Sequence, residues 1–280
     1  MALSIQSNAA SKSIQNQLGR TNNDLSVALE RLGSGFKINS AKDDAAGLQI
    51  ANRLNAQVRG QEAAIYNANN AQSMMQTAEG AFEEMTNIAY RMKELATQGA
   101  NGTNNTSEYT ALSGEFEALS AELTNIMDNT SYGSGTTLLD AAGKFGAGAV
   151  TFQIGSSAAE TLDVNISADL TAVTTAITAF AGGLADQAGS STAMGDVDTL
   201  IDSIGAARAN LGASMNRLDH TINNVTNMAE NTQASASQLM DADFAKETSN
   251  MTKQQLLMNS GISVLSASNS TTQMIGSLLR

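Results

Sequence analysis

The chain has 280 residues, a net charge of −12, and neither proline nor cysteine. Without cysteine there can be no disulfide, thiol nucleophile or zinc–thiolate site, and aromatics at 4% are too few for one thick globular core. Proline normally supplies about 5% of residues and breaks helix interiors, so its absence predicts long uninterrupted helices.

Charge is segregated along the chain. Residues 1–60 carry seven basic and four acidic side chains, residues 61–200 three and seventeen, and residues 201–280 five and six. An acidic middle argues against nucleic acid as a partner. It suits a solvated outer surface between ends that self-associate. The N-terminus lacks the apolar core of a secretory signal, and no stretch approaches the ~20 apolar residues of a membrane span. Taken alone, this predicts a cytoplasmic chain, or one exported without a cleaved signal and with no membrane as partner.

The first helix is expected over about Ile5–Arg31, with a heptad seam of Ile14, Leu18, Thr21, Leu25, Ala28 and Leu32. Gly33 and Gly35 disfavour continuation, so 33–43 reads as a connector. Asp43 and Asp44 then favour the positive end of a second helix reaching about Gln98. Its inner side would carry Leu54, Val58, Ile65, Met75, Phe82, Met85, Met92 and Leu95. At 1.5 Å per residue it would span roughly 80 Å, the length of a rod. A Gly/Asn/Thr loop follows from Gly99. A third helix is expected near Ser107–Met127, with Leu112, Phe116, Leu119, Leu123 and Ile126 inward.

The middle changes character. Residues 150–154 and 162–166 alternate apolar with polar, the period of half-buried strands, and the intervening turn residues predict a hairpin. Val173, Ile177, Phe180 and Leu184 suggest a short helix, and Gly189–Gly195 reads as a flexible connector. A long seam follows: Ile201, Ile204, Arg208, Leu211, Met215, Leu218, Ile222, Val225, Ala229, Thr232, Ala236 and Leu239 alternate three and four without a slip. A last helix is expected over about Phe244–Leu279. The predicted fold is mainly α: a long antiparallel helical bundle or coiled coil from both chain ends, with a small β-hairpin region in the middle.

The block ERLGSGFKINSAKDDAAGLQIANR at residues 30–53 resembles the N-terminal signature of bacterial flagellin. Asn216-Arg-Leu-Asp, Asp241-Ala-Asp-Phe, Glu247-Thr-Ser-Asn-Met-Thr252 and Ser277-Leu-Leu-Arg280 resemble its C-terminal half. The resemblance covers roughly 1–140 and 195–280. It implies a structural subunit that polymerises into the flagellar filament for swimming motility, with terminal helices paired at the filament core. A hook–filament junction protein, or another self-assembling coiled-coil fibre protein, is the alternative.

Under this resemblance residues 1–43 and 240–280 would form the terminal coiled-coil core domain, and 44–140 with 190–239 a helical rod domain. Residues 141–189 would be a short variable insert. Filament-core packing would fall to Ile14, Leu18, Leu25, Leu32, Ile262, Leu265, Leu278 and Leu279. Partners would be other copies of the chain, the export chaperone, and the cap and junction proteins. Secretion would run through the flagellar export channel to the cell exterior. Terminal helices rich in Asn, Ser and Gln are marginal in water, so order there is expected to come with assembly. The family often has a proline near the end of the last helix, where Thr271–Gly276 has none.

Tyr90-Arg-Met-Lys-Glu-Leu-Ala96 is similar to the segment that a host flagellin-sensing Toll-like receptor recognises in this family. It implies Arg91, Leu95 and Glu115 as the receptor contact, with Arg91 and Leu95 on one helical face; the same face would pack between subunits. Ser156, Ser157, Thr174 and Thr175 are candidates for O-linked glycans, as in resembling flagellins, or plain polar surface. His220, the only histidine, cannot build a two-histidine metal helix, and it reads as an exposed surface residue. Asp128–Gly133 fails as a calcium loop, since Thr130, Tyr132 and Leu139 stand where oxygen ligands are needed. No catalytic residue, metal or cofactor is expected.

Overall fold

The computed structural model describes residues 8–133 and 135–278. Its α-helices are α1 (Ala9–Ser34), α2 (Ala45–Gly99), α3 (Thr106–Asn129), α4 (Ser167–Thr178), α5 (Gln187–Met240) and α6 (Phe244–Leu278). Two short antiparallel hairpins lie between α3 and α4: β1 (Ser131–Tyr132) with β2 (Thr136–Thr137), and β3 (Val150–Gln153) with β4 (Thr161–Val164). The fold is therefore mainly α with small β-hairpins in the middle, as the sequence predicts.

Helix ends follow from capping. Asp44 Oδ1 accepts from Gly47 N at 2.9 Å and Asp243 Oδ1 from Ala245 N at 2.9 Å, so each aspartate satisfies an orphan N–H of the helix after it. Asn105 and Glu108 form a reciprocal capping box on α3. α1 ends at Gly35, whose φ of 77° is strained for any residue with a Cβ; its N–H closes on the Arg31 carbonyl at 2.9 Å. α6 runs through Thr271–Gly276 without a break.

Compactness divides the chain into two units. Residues 57–230 form one, and residues 1–56 with 231–280 the other; α2 and α5 contribute to both. In the 57–230 unit, α2 and α5 lie antiparallel. Gln72 Nε2 donates to Asp219 Oδ1 at 2.8 Å, Arg208 pairs with Glu79 at 2.7 Å, and Lys93 pairs with Asp198 and donates to the Met194 carbonyl. Arg208, which breaks the apolar seam in the sequence, thus sits on the seam because Glu79 neutralises it.

The core of this unit joins Phe82, Met85, Met92 and Leu95 of α2 to Phe116 and Leu123 of α3. Leu162 and Val164 of β4, and Val173, Phe180 and Leu184 beyond it, complete that core. Phe116 and Phe180 meet edge to face, centroids 5.4 Å apart at 86°, a favoured aromatic geometry. β3 and β4 pair Val150 with Val164 and Phe152 with Leu162, the alternation that the sequence shows.

Two expectations need correction. The Gly189–Gly195 stretch is not a connector but the opening turns of α5. Asp186 makes it so: its Oδ1 accepts from Gly189 N at 2.7 Å, and Ser190 is buried against Gly99. The β1–β2 hairpin has no counterpart in the expected elements; Gly133 and Gly135 turn it with positive φ. Asp128 and Asn129, read against a calcium loop, are the last turn of α3 leading into that hairpin. The expected start of α1 at Ile5 lies outside the described residues.

Candidate assembly surface

In the unit of 1–56 and 231–280, α1 and α6 pair antiparallel. Asn8 Nδ2 donates to Ser268 Oγ at 3.4 Å, Ser11 Oγ to Asn269 Oδ1 at 3.0 Å, and Arg31 Nη1 to Glu247 Oε1 at 3.3 Å. The facing residues of α1 are Ser11, Ile14, Leu18, Thr21, Leu25, Ala28 and Leu32, all buried or half-buried. On α6 they are Glu247, Met251, Gln254, Met258, Gly261, Leu265 and Ser268. A Cβ at Gly261 would come within 2.7 Å of Leu18, so that glycine lets the two helices close. Of the terminal segments expected to order on assembly, Ala9–Ser34 and Phe244–Leu278 are here helical and paired within one chain.

The seam leaves much of α6 uncovered. Leu256, Leu257, Ile262 and Val264 are exposed, Leu256 at 64%, and Val27 and Leu29 are exposed on α1. Gln17, Leu18 and Thr21 line a groove of about 230 Å³ with Leu257, Gly261 and Val264. A surface helix of a finished globule carries one apolar stripe; a helix apolar on several faces is one that is buried all round. α6 is of the second kind and its own chain covers only one face. Of the residues expected to pack a filament core, Ile14, Leu18, Leu25, Leu32 and Leu265 face the seam, while Ile262 faces away at 54% exposure. Leu279 and the side chain of Leu278 lie outside the described residues.

Where α1 ends, the conspicuous sequence blocks meet. Lys37 N donates to the Met240 carbonyl at 2.6 Å, Ala242 N to the Gly35 carbonyl at 2.9 Å, and Phe36 bridges to Asp241. The connector after α1 is thereby laced to the corner between α5 and α6. Glu247, 6% exposed, is held there by the half-buried Arg31. Asp43 collects the Ser40 N–H at 3.0 Å, the Ser40 hydroxyl at 3.0 Å and the Asn39 N–H at 3.1 Å. These donors, Ser40 first, hold its carboxyl below the usual carboxylate range. The sequence trace of this lacing is the density of glycine and aspartate around residues 33–44 and 241–243.

On the other unit, Arg91 of α2 reaches Glu115 of α3 through Nε at 2.9 Å and Nη2 at 2.7 Å, and Glu94 through Nη1 at 2.9 Å. Glu115 first, then Glu94, raises the guanidinium's affinity for its proton further. Arg91 and Glu115 are exposed, but Leu95 is only 1% exposed and belongs to the core. The expected common outward face of Arg91 and Leu95 is therefore corrected. α2 packs against both α3 and α5, its buried sector is wide, and Leu95 falls inside it.

Ser156, Ser157, Thr174 and Thr175 are all exposed, Ser156 and Ser157 on the β3–β4 turn and the threonines on α4. His220 is exposed on α5. Among the described residues, no group of three or more His, Cys, Asp or Glu is placed to hold a metal ion, and no helix is long and apolar enough to cross a membrane.

Comparison with known proteins agrees with this geometry. The sequence matches the bacterial flagellin N-terminal helical region over residues 5–144 and the C-terminal helical region over residues 194–279. It is 34% identical to flagellin A of Vibrio anguillarum, covering 95% of this chain and 96% of that one. It is 37% identical to the flagellin of Halalkalibacterium halodurans, covering 90% and 91%. The crystal structure of Bacillus cereus flagellin aligns with a TM-score of 0.51 at 32% identity, over 61% of this chain and 94% of that chain. A flagellar hook-associated protein from Vibrio parahaemolyticus aligns with a TM-score of 0.58 over 71% and 100%, and at 14% identity shares the fold alone. The junction-protein alternative is accordingly not favoured. By motif, fold and relatives, the chain belongs to the bacterial flagellin family, the structural subunits that polymerise into the extracellular filament of the flagellum.

Proposed function

We propose that polymerisation proceeds by covering the faces of α1 and α6 that the single chain leaves open. The observation that carries this reading is the exposed apolar set Leu256, Leu257, Ile262 and Val264 on a helix already paired with α1 along another face. Neighbouring copies seated there bury apolar surface worth about 25 cal/mol per Å². Contacts that run head to tail without closing generate a helical filament. In this arrangement Ile14, Leu18, Leu25, Leu32, Ile262, Leu265, Leu278 and Leu279 pack the filament core. Residues 1–43 with 240–280 are the core domain, 44–140 with 190–239 the surrounding helical domain, and 141–189 the solvent-facing insert. Export through the flagellar channel, with a chaperone, cap and junction proteins as partners, is part of the same proposal and is supported by the family's motifs at both chain ends.

Deleting Ser270–Arg280 tests the assembly reading. The truncated chain stays soluble and keeps the fold of the 57–230 unit, but forms no filaments when seeded. Normal filaments from it in electron micrographs would overturn the proposal.

Arg91 and Glu115 remain the candidate contact for the host Toll-like receptor, with Leu95 supporting the helix from inside. Arg91→Ala should reduce receptor activation by the monomer at least tenfold, as for loss of an arginine interface anchor worth about 1.4 kcal/mol or more. Unchanged activation would remove these residues from that role. Ser156, Ser157, Thr174 and Thr175 remain candidate glycan carriers, which intact-mass measurement of native filaments decides.

A further inference from the structure

We propose that Asn101 is a site of spontaneous covalent conversion to aspartate and isoaspartate, the Gly102 amide nitrogen attacking the Asn101 side-chain carboxamide. Asn101-Gly102 is the only Asn-Gly pair in the sequence. It lies in the exposed loop between α2 and α3. With no Cβ, glycine leaves its amide nitrogen open to approach and its backbone free to reach the geometry of attack.

The nucleophile and the leaving group are unengaged. Asn101 Oδ1 accepts from Thr103 N at 3.3 Å, an arrangement that folds the carboxamide back over the Gly102 peptide. Among the described residues the Gly102 N–H, which is the nucleophile, donates to no acceptor, and neither does the Asn101 amide nitrogen, which is the leaving group. Other asparagines nearby are committed. Asn104 Nδ2 donates to the Gln98 carbonyl at 2.6 Å, and Asn105 caps α3 through its Oδ1. Asn125 and Asn129 lie within α3, where the following N–H groups are held in or at the end of the helical ladder.

In the first step the Gly102 nitrogen gives up its proton and bonds to Asn101 Cγ, the Cγ–Nδ2 bond breaks, and ammonia leaves. Water then adds to either carbonyl of the resulting cyclic imide and opens it. Opening one way gives aspartate, the other isoaspartate. No electron is transferred; one water enters, one ammonia departs, and the chain gains one negative charge. That charge forms just beyond the last turn of α2, where Asn101 N donates to the Gln98 carbonyl at 3.3 Å and the helix dipole is negative. The isoaspartate route also adds a methylene to the backbone of a loop whose Asn101 carbonyl accepts from Asn104 N and the Tyr109 hydroxyl.

The test is peptide mapping of the full-length chain, as monomer and as filament, after prolonged incubation in mildly alkaline buffer. Trypsin yields Glu94–Lys144, which holds Asn101 together with Asn104, Asn105, Asn125 and Asn129 as internal controls. The expected result is a gain of one mass unit confined to residue 101, with isoaspartate exceeding aspartate and an acidic shift of the intact chain. Gly102→Ala should abolish most of it while keeping the fold, since the nearest atoms to a Cβ there belong to the Gln187 side chain, at 3.5 Å and beyond. An unmodified residue 101, a gain shared evenly among the five asparagines, or a rate indifferent to Gly102→Ala would each overturn the proposal.

Discussion

The two units of the chain are built from the same element, the long helix, yet they solve opposite problems. In the 57–230 unit the helices close around Phe82, Phe116, Phe145, Met75, Met85 and Met92, all fully buried. In the unit of 1–56 and 231–280 the buried apolar residues are Ala28, Ile38, Ala51 and Ala236 among those described, and Ser11, Thr21 and Glu247 are buried beside them. Large side chains in the seam, such as Leu18, Leu25 and Leu265, are only half-buried, and Leu29, Leu256, Leu257, Ile262 and Val264 are exposed. One unit spends its apolar surface on itself and the other keeps it for neighbours. A helix pair with so little interior is stabilised mainly by what is added to it.

That contrast can be attacked at several points. Phe116→Ala should be the most damaging single change, removing the partner of Phe180 from a packed core at a cost of about 3–5 kcal/mol. Urea unfolding followed by far-UV circular dichroism reads the loss, and a change under 1 kcal/mol would mean that the 57–230 core is not what holds the monomer. Arg31→Ala leaves the Glu247 carboxylate buried without its cation. Because Arg31 is itself partly exposed, a cost of about 1–2 kcal/mol is expected rather than the full value for a buried pair. The effect should appear in amide exchange of α1 and α6 and in filament melting, while protection around Phe82 stays unchanged. Equal loss of protection in both units would show that they are not energetically separate.

The smallest effect comes from pH. Asp43 has its carboxyl depressed in the folded chain, so its contribution is fully present above the ordinary carboxylate pKa of about 3.9. It is lost as pH falls from there through the depressed folded value. Asp43→Asn should lower the stability of the 1–56 and 231–280 unit above that window and flatten its acid sensitivity within it. An unaltered acid profile would remove Asp43 from the linkage.

Much of this organisation was legible from spacing. The seam over 201–239 is covered at each of its twelve positions, because a three-four alternation leaves a helix only one face to bury. The strands at 150–153 and 161–164 were readable from their alternating hydrophobicity, which burial follows throughout β4 and as far as Phe152 in β3. What failed to show was whatever depends on one distant side chain. Glycines at 189 and 195 look like a breaker because the packing of Ser190 against Gly99 is a tertiary fact, although the Asp186 cap three residues before Gly189 is local. β1 and β2, two residues each, are too short to carry a period. Leu95 lies inward for a related reason: four-residue spacing shows that two side chains are neighbours, not where the edge of the buried sector runs. The Arg91–Glu115 pair joins α2 to α3 across 24 positions, and only resemblance brought its members together.

The outward apolar set on α6 also has a calorimetric consequence. Covering Leu256, Leu257, Ile262 and Val264 removes apolar surface from water, and such removal carries a negative heat-capacity change. The heat of subunit addition must then grow more exothermic with temperature, while near room temperature entropy supplies most of the drive. Growth of the polymer would weaken on cooling, and the slope of its enthalpy with temperature would measure how much of α6 each new copy covers.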